Sequence, residues 1–272
     1  MLNPRLIDRA RPWIEEQLGF PLPLRAPRGL PVIRAVPGRE ATAPLWAIRV
    51  GPVVAVSVRP EIEAETRRVV LGLHPDQLFS VLGTYELSRI TLPHGAAVWG
   101  PVPNYIADES TWTPARDSRP VRLSKRQVAA VDWDTFWHCD KKPLGAFGIY
   151  GAGRLEALAT VADHGESMWE IGVDVLPDLK SRGLGRAVVS AAGDWILESG
   201  QTVHATAAFW NVPSSRTLRS VGMQYVFSTM TARPGPFKVP PQPLGSPLPG
   251  AKVYDQYPRW AMNQDILPRP EG

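Results

Sequence analysis

Residues 173–187 read VDVLPDLKSRGLGRA, and this stretch contains the most informative pattern in the chain. An apolar run ends at Pro177, a basic loop follows, and a segment with helical periodicity runs from Gly183 to Glu198. The first N–H groups of a helix lack partners within it, and the helix dipole favours an anion at that end. A glycine there lets a phosphate approach the backbone closely. The pattern therefore predicts a diphosphate site at the start of this helix.

Two familiar phosphate-binding loops do not fit the stretch. A P-loop ends in Gly-Lys-Ser or Gly-Lys-Thr, which is absent. A dinucleotide-binding loop needs a third small residue where Val188 stands, and an acid at the end of the next strand. That strand ends at residues 208–211, AFWN, without an acid. Nucleotide binding of either kind is therefore not predicted.

The stretch resembles the acyl-CoA signature of the GNAT superfamily, in which Val-x-Pro precedes a basic loop and Arg-Gly-x-Gly-x-Ala. Residues 175–187 hold these parts in that order. A second motif follows at the spacing typical of the family, with Asn211, Ser214 and then Gly222 closing the next short helix. The resemblance covers Val121 to Arg233, less than half of the chain. It implies an N-acyltransferase that uses acetyl-CoA, or another acyl-CoA, as co-substrate.

The resemblance also implies where the co-substrate binds. The strands that begin at Met168 and Val203 should separate at their ends, so that the pantetheine arm lies between them. The residues expected to contact the co-substrate come from the first strand, the basic loop, the helix start and the second motif: Val173, Val175, Lys180, Ser181, Arg182, Gly183, Leu184, Gly185, Arg186, Ala187, Asn211 and Ser214.

Three residues are candidates for catalysis. Glu170 lies where several GNAT enzymes place a general base, although its side chain can equally face solvent on the opposite side of the strand. Asp174 shares the facing of Glu170, and it either binds a cationic acceptor or forms a structural ion pair. Ser214 can order the sulfur atom or a water molecule, and with Asn211 it can also simply cap a helix. His138 and His164 are more distant candidates for the base.

One position departs from the family pattern. Many GNAT enzymes have a tyrosine seven residues after the asparagine, and its hydroxyl protonates the departing thiolate; Leu218 stands there in this chain. The spacing of Asn211, Ser214 and Arg216 is closer to the branch that acetylates protein N-termini, which lacks that tyrosine. Three hypotheses follow: an enzyme that acylates a primary amine, a sensor that binds acyl-CoA without turnover, and a scaffold that recruits a partner.

Composition limits the classes of protein to which the chain can belong. Thirty basic and 26 acidic residues give a formal charge of +4, and they are interspersed, which favours an ordinary solvated surface over a nucleic-acid-binding face. No apolar stretch is long enough for a membrane helix, and the first residues do not resemble a secretory signal. A single cysteine, Cys139, and histidines without ligand spacing predict no metal site. We therefore expect a cytoplasmic monomer or homodimer whose acceptor is a small-molecule, peptide or protein amine.

The order of elements predicts a mixed α+β fold, with a GNAT-like central sheet and flanking helices. We predict an N-terminal α+β domain at residues 1–118, a catalytic domain at 119–233 and an extended proline-rich tail at 234–272. A degenerate copy of the acyltransferase core is an alternative interpretation of the N-terminal domain. The predicted helices are 5–18, 61–71, 76–90, 124–137, 183–198 and a short one from Pro213. The predicted strands are 45–50, 53–58, 96–99, 145–150, 155–162, 168–176, 203–210 and 223–231.

Overall fold

A computed structural model of the protein describes residues 2–25, 30–38, 43–165, 168–208 and 211–235. The α-helices are α1 Pro4–Leu18, α2 Glu63–Gly72, α3 Pro75–Leu78, α4 Val81–Thr91, α5 Lys125–Ala129, α6 Leu184–Glu198 and α7 Val212–Ser220. The strands are β1 Val32–Ala35, β2 Leu45–Val50, β3 Val53–Val58, β4 Ala96–Ala107, β5 Val121–Arg122, β6 Gly145–Gly151, β7 Arg154–Asp163, β8 Met168–Val175, β9 Thr202–Thr206 and β10 Gln224–Pro234. From residue 236 onward the predicted tail lies outside the described residues.

One mixed sheet joins the two halves of the chain, in the order β1-β3-β2-β10-β4-β9-β8-β7-β6-β5. The pairs β1–β3 and β8–β9 are parallel, and the other neighbours are antiparallel. Strand β10, the last in the described sequence, lies between β2 and β4 of the N-terminal half. The predicted mixed α+β fold with flanking helices is therefore confirmed. The division into domains at residue 118 stays a prediction.

The two faces of the C-terminal sheet pack against different helices. Odd-numbered residues of β8, such as Ile171, join Val203 of β9 in a core beneath α6. Met168, an even-numbered residue, belongs to the core under α1 on the opposite face. A third core lies between β2, β3 and β10 and the helices α2 and α4. Even-numbered side chains of β8 therefore share the α1 face of the sheet.

Helix α1 is defined by its ends and by one apolar face. The side chain of Asn3 accepts a hydrogen bond from the Arg5 N–H, and Gly19 ends the helix with a φ of 74°. Leu6, Ile14 and Leu18 are fully buried on its inner face. Burying one such side chain contributes about 1.5–3 kcal/mol, so this face holds the helix against the sheet. The helix predicted at residues 5–18 is confirmed, and it continues through Pro12.

Two predicted helices are wrong in extent because local side-chain bonds end them. The helix predicted at 76–90 is two helices, since Ser80 caps α4 through the N–H of Leu82. The helix predicted from Ser124 to Trp137 ends at Ala129. The Asp132 carboxylate accepts hydrogen bonds from the Asp134 N–H and the Thr135 hydroxyl, which stabilises a turn instead.

Strand β4 was predicted too short, at residues 96–99, because prolines follow. The strand continues to Ala107, and its pairing with β10 shifts register twice, which accommodates residues that cannot donate to the ladder. The strand predicted at 203–210 is described only as Thr202–Thr206, and residues 209 and 210 lie outside the described residues. Strand β1 was not predicted. In the described part of the chain, no helix has the length and apolar character needed to cross a membrane.

Candidate functional site

An opening separates β8 from β9 in the middle of the sheet. The two strands pair in register from Met168–Thr202 to Glu170–His204. Beyond that point β8 stays with β7 as far as Val175, while the chain after β9 stays with β4, because the Ala207 N–H donates to the Pro103 carbonyl. No further β8–β9 pair occurs among the described residues. The predicted separation of these two strands is therefore present, with Val173 and Val175 on the β8 side.

The basic loop leads to a helix end that no described side chain caps. Gly183 occupies the N-cap of α6 with a φ of 77°, and no side chain bonds to the first N–H groups. The position of a Cβ at Gly183 meets no atom within 4 Å. Lys180, Ser181 and Arg182 precede it and are exposed, and Ser181 also has a positive φ, of 63°. The start of α6 is thus open and has two cationic side chains beside it.

The turn before the loop is tied to the neighbouring strand. Arg154 of β7 donates to the Asp178 carboxylate at 2.6 Å, and this hydrogen bond lowers the pKa of Asp178. Leu179 is buried in the α6 core. The contacts of Asp178 and Leu179 therefore fix the chain just before the basic loop, and they position the N-terminus of α6 relative to β8.

The predicted contacts within α6 separate into two groups. Leu184 and Ala187 are buried in the core beneath the helix, so they offer a ligand only their backbone. Arg186 is exposed. Gly185 lies between β8 and α7, since a Cβ there would be 3.4 Å from Val175 Cγ2 and 3.7 Å from Thr217 Cγ2. The first turn of α6 at Gly185 therefore packs close to both elements.

The second motif forms the start of α7. The Asn211 Oδ1 accepts a hydrogen bond from the Ser214 N–H at 3.2 Å, so this asparagine caps the helix. Ser214 is half-buried. Leu218, which replaces the usual tyrosine of the family, is 1% exposed and packs in the α6 core. Position 218 therefore supplies no polar group to the opening.

Glu170 lies at the closed end of the opening and does not simply face solvent. Its side chain is 26% exposed. The Thr206 hydroxyl donates to its Oε1 at 3.0 Å, and His164 Nδ1 lies 3.3 Å from its Oε2. The carboxylate is thus held by groups on two other segments and remains partly accessible, as a proton acceptor needs to be.

His204 lies beside Glu170 in the interior. It is fully buried, its Nε2 is 2.8 Å from Asn104 Oδ1, and burial lowers its pKa to about 4. The indole of Trp13 packs against both histidines, with ring centroids 4.9 Å from His164 and 5.8 Å from His204. Helix α1 of the N-terminal half therefore closes one side of the site.

Asp174 fixes a loop next to the opening. Its carboxylate accepts the His138 backbone N–H at 2.7 Å, and the His138 ring lies at 2.6 Å. Gly172 makes this approach possible, because a Cβ there would be 2.4 Å from the His138 carbonyl oxygen. The carboxylate is 14% exposed. A structural contact between Asp174 and the loop is thus present, and a role in acceptor binding stays a prediction.

The aromatic residues ahead of β6 divide between core and surface. Phe136 is buried, and Trp133 packs against the same small core. Trp137 is 68% exposed and stacks closely on His138. Of these three described aromatic residues, only Trp137 offers an exposed surface.

Of the residues that surround Glu170, His164 was a candidate from the sequence, and the others were missed. Trp13 and Asn104 come from the N-terminal half, where no catalytic motif was recognised. His204 and Thr206 alternate on β9, and this period places both on the face of Glu170, which was the available signal.

Comparison with known proteins locates the resemblance. No curated protein matches the chain. A putative GNAT-family acetyltransferase of Novosphingobium aromaticivorans is 20% identical over 51% of this chain and 66% of its own, with a TM-score of 0.40. A GCN5-related N-acetyltransferase of Kribbella flavida is 17% identical over 55% and 64%, with a TM-score of 0.42. In both, the match spans less than two thirds of the solved chain. A Drosophila protein is 17% identical over 84% and 89%, with a TM-score of 0.44.

Among family models, the one described as FR47-like protein, which is GNAT-related, matches residues 146–232. This range contains the α6 loop and the Asn211 motif. The resemblance of the C-terminal half to the GNAT superfamily, predicted from those two motifs, is thereby confirmed.

Proposed function

We propose that the chain transfers an acetyl or similar short acyl group from coenzyme A to a primary amine. The observation that carries this proposal is the opening between β8 and β9, which lies next to the uncapped N-terminus of α6. A diphosphate suits that helix end, because unpaired N–H groups, the helix dipole and Lys180 and Arg182 all favour an anion. Gly185 lies beside Val175 of β8, so the helix start is next to the strand that carries Glu170.

In the proposed reaction the amine attacks the thioester carbonyl carbon and forms a tetrahedral intermediate. Glu170 accepts the proton that the amine loses, directly or through water. The negative charge on the former carbonyl oxygen needs a donor, and a backbone N–H near Val175 is the candidate that the family resemblance implies. The carbon–sulfur bond then breaks. Because Leu218 has no hydroxyl, the thiolate leaves without a proton from that position or takes one from water ordered by Ser214.

Binding is tested by titrating acetyl-CoA into the full chain in a calorimeter. Arg182→Glu should weaken binding at least tenfold, since it places a negative charge beside the diphosphate and removes a charge-assisted hydrogen bond of about 1.5–3 kcal/mol. Arg126→Glu changes the same charge on the exposed face of α5 and should leave the affinity unchanged. Equal affinity in the wild type and Arg182→Glu would remove the basis for the site.

The alternative is a module that binds acyl-CoA without turnover, which the apolar Leu218 favours. The two functions are distinguished by measuring acylated product by mass spectrometry over a panel of small amines and peptide N-termini. Product that accumulates in proportion to enzyme supports the transferase. Tight acetyl-CoA binding without product from any amine supports the sensor. The acceptor class, the monomer or homodimer state and a cytoplasmic location remain proposals.

A further inference from the structure

Three side chains with metal-ligating atoms converge at the closed end of the opening: His164, Glu170 and His204. One ligand atom of each lies within 4.8 Å of the others. They come from different segments, namely the turn after β7, strand β8 and strand β9. No ligand spacing along the sequence predicts such a set, which is why a metal site was not expected. We refer to these three residues as the His–Glu–His cluster.

His204 has a buried nitrogen atom without a hydrogen-bond partner. Its Nδ1 is bonded to no described residue, although the side chain is 0% exposed. The Asn104 amide nitrogen donates to the Val102 carbonyl and to Thr229, so the Asn104 oxygen is left to accept from His204 Nε2. A neutral imidazole that donates from Nε2 has its lone pair on Nδ1. A carbonyl or carboxylate oxygen commonly accepts a hydrogen bond from the second ring nitrogen of a metal-binding histidine, and the Asn104 oxygen is of this kind.

Glu170 and His164 complete the set. Thr206 occupies Oε1 of Glu170, which leaves Oε2 at 3.3 Å from His164 Nδ1. Two ligands at about 2.0–2.2 Å from a tetrahedral Zn²⁺ are separated by about 3.3–3.5 Å. Trp13 stacks on the His164 ring and restricts its orientation. His164 and Glu170 are 30% and 26% exposed, so the cluster has one accessible side.

We propose that the His–Glu–His cluster binds a divalent transition-metal ion, for which Zn²⁺ is the probe. Two imidazoles and one carboxylate suit Zn²⁺, whereas Mg²⁺ prefers oxygen ligands alone. The partial exposure of His164 and Glu170 would let water fill a remaining coordination position. The consequence for activity rests on the proposed function: a Glu170 carboxylate that ligates a metal cannot accept the proton of the amine. Zn²⁺ therefore inhibits acyl transfer, and a chelator restores it.

Binding is measured by titrating Zn²⁺ into the chelator-treated full chain, with calorimetry and the metal content after dialysis as readouts. We expect a single equivalent, with no comparable binding of Mg²⁺. Glu170→Gln and His164→Asn should each lower the affinity at least about tenfold. His94→Asn, at an exposed histidine in the N-terminal half, should not change it. These variants avoid the fully buried His204, and their circular dichroism establishes that they fold.

Absence of Zn²⁺ binding, equal binding of Mg²⁺, or unchanged affinity in both ligand variants would overturn the metal site. Acetyl-CoA titration of the same protein separates this outcome from failure of the proposed function. A chain that binds acetyl-CoA and forms product, but binds no Zn²⁺, lacks only the metal site. A chain that binds Zn²⁺ through Glu170 and His164, but forms no acylated product, retains the metal site and lacks the proposed activity.

Discussion

Glu170 of β8 and His204 of β9 form the last pair of the parallel register at the centre of the sheet. Before them the strands are neighbours, and after them each strand follows a different partner. A carboxylate and a buried imidazole therefore meet where the sheet opens. A ligand that enters between the strands from the α6 end, as we propose, reaches these two side chains last.

Glu170→Gln should lower turnover by about 10²–10⁴-fold, since the amide cannot accept a proton. Acetyl-CoA affinity should stay within about twofold, because the proposed diphosphate site lies at the start of α6 and not at Glu170. Initial rates of product formation and calorimetry measure the two quantities. Glu198→Gln, at the exposed end of α6, is the matched control. An unaltered rate in Glu170→Gln would exclude this residue as the base.

Substitutions at two glycines distinguish a loss of folding stability from a loss of acetyl-CoA affinity. Gly183 and Gly153 have φ values of 77° and 78°, and a Cβ at either position meets no atom within 4 Å. Alanine at each site should cost about 1 kcal/mol of folding free energy, because a side chain disfavours this conformation. Only Gly183→Ala should also weaken acetyl-CoA binding, by about tenfold, since its methyl group displaces a phosphate from the backbone. Equal affinities in the two variants would contradict a phosphate contact at Gly183.

Trp13 connects α1 to the site, and its removal should destabilise the protein. The indole is 6% exposed and contacts Trp46, Phe227 and His164. Trp13→Ala should lower the free energy of unfolding by about 3–5 kcal/mol, as measured by urea denaturation. Trp137→Ala, at a tryptophan that is 68% exposed, should change it by less than about 1 kcal/mol. Similar losses in both variants would mean that α1 does not pack on the sheet as described.

The thiol of Cys139 should be unreactive in the folded protein. Burial is the main cause that raises its pKa to about 12, and the negative charge of Asp174 adds to it. Because the thiolate is the reactive form, alkylation by iodoacetamide at pH 8 should be slow until urea unfolds the chain. Because the pKa is higher in the folded state, the neutral thiol stabilises the folded protein below pH 9. This contribution decreases as the pH rises from 9 toward 12. As the chain has one cysteine, the label is unambiguous. Rapid labelling without denaturant would show that the loop around Cys139 is open.

The sequence predicted the parts of the site that lie close together in the chain. The glycines at 183 and 185 and the cap at Asn211 are local signals, because backbone conformation and capping require particular residue types at those positions. Apart from His164, the surroundings of Glu170 were missed because they depend on strand order. Asn104 meets His204 only since β4 pairs with β9, and Trp13 reaches both histidines only through the packing of α1. Because of its prolines, β4 was predicted to end at residue 99, before the residues that pair with β9.

We propose that acyl-CoA enters between β8 and β9 with its diphosphate at the start of α6. A crystal structure of the chain with acetyl-CoA tests this placement. We expect diphosphate oxygens within about 3 Å of the N–H groups that follow Arg182, and the thioester beside Glu170. A co-substrate bound anywhere else on the molecule, or a thioester directed away from Glu170, would contradict it.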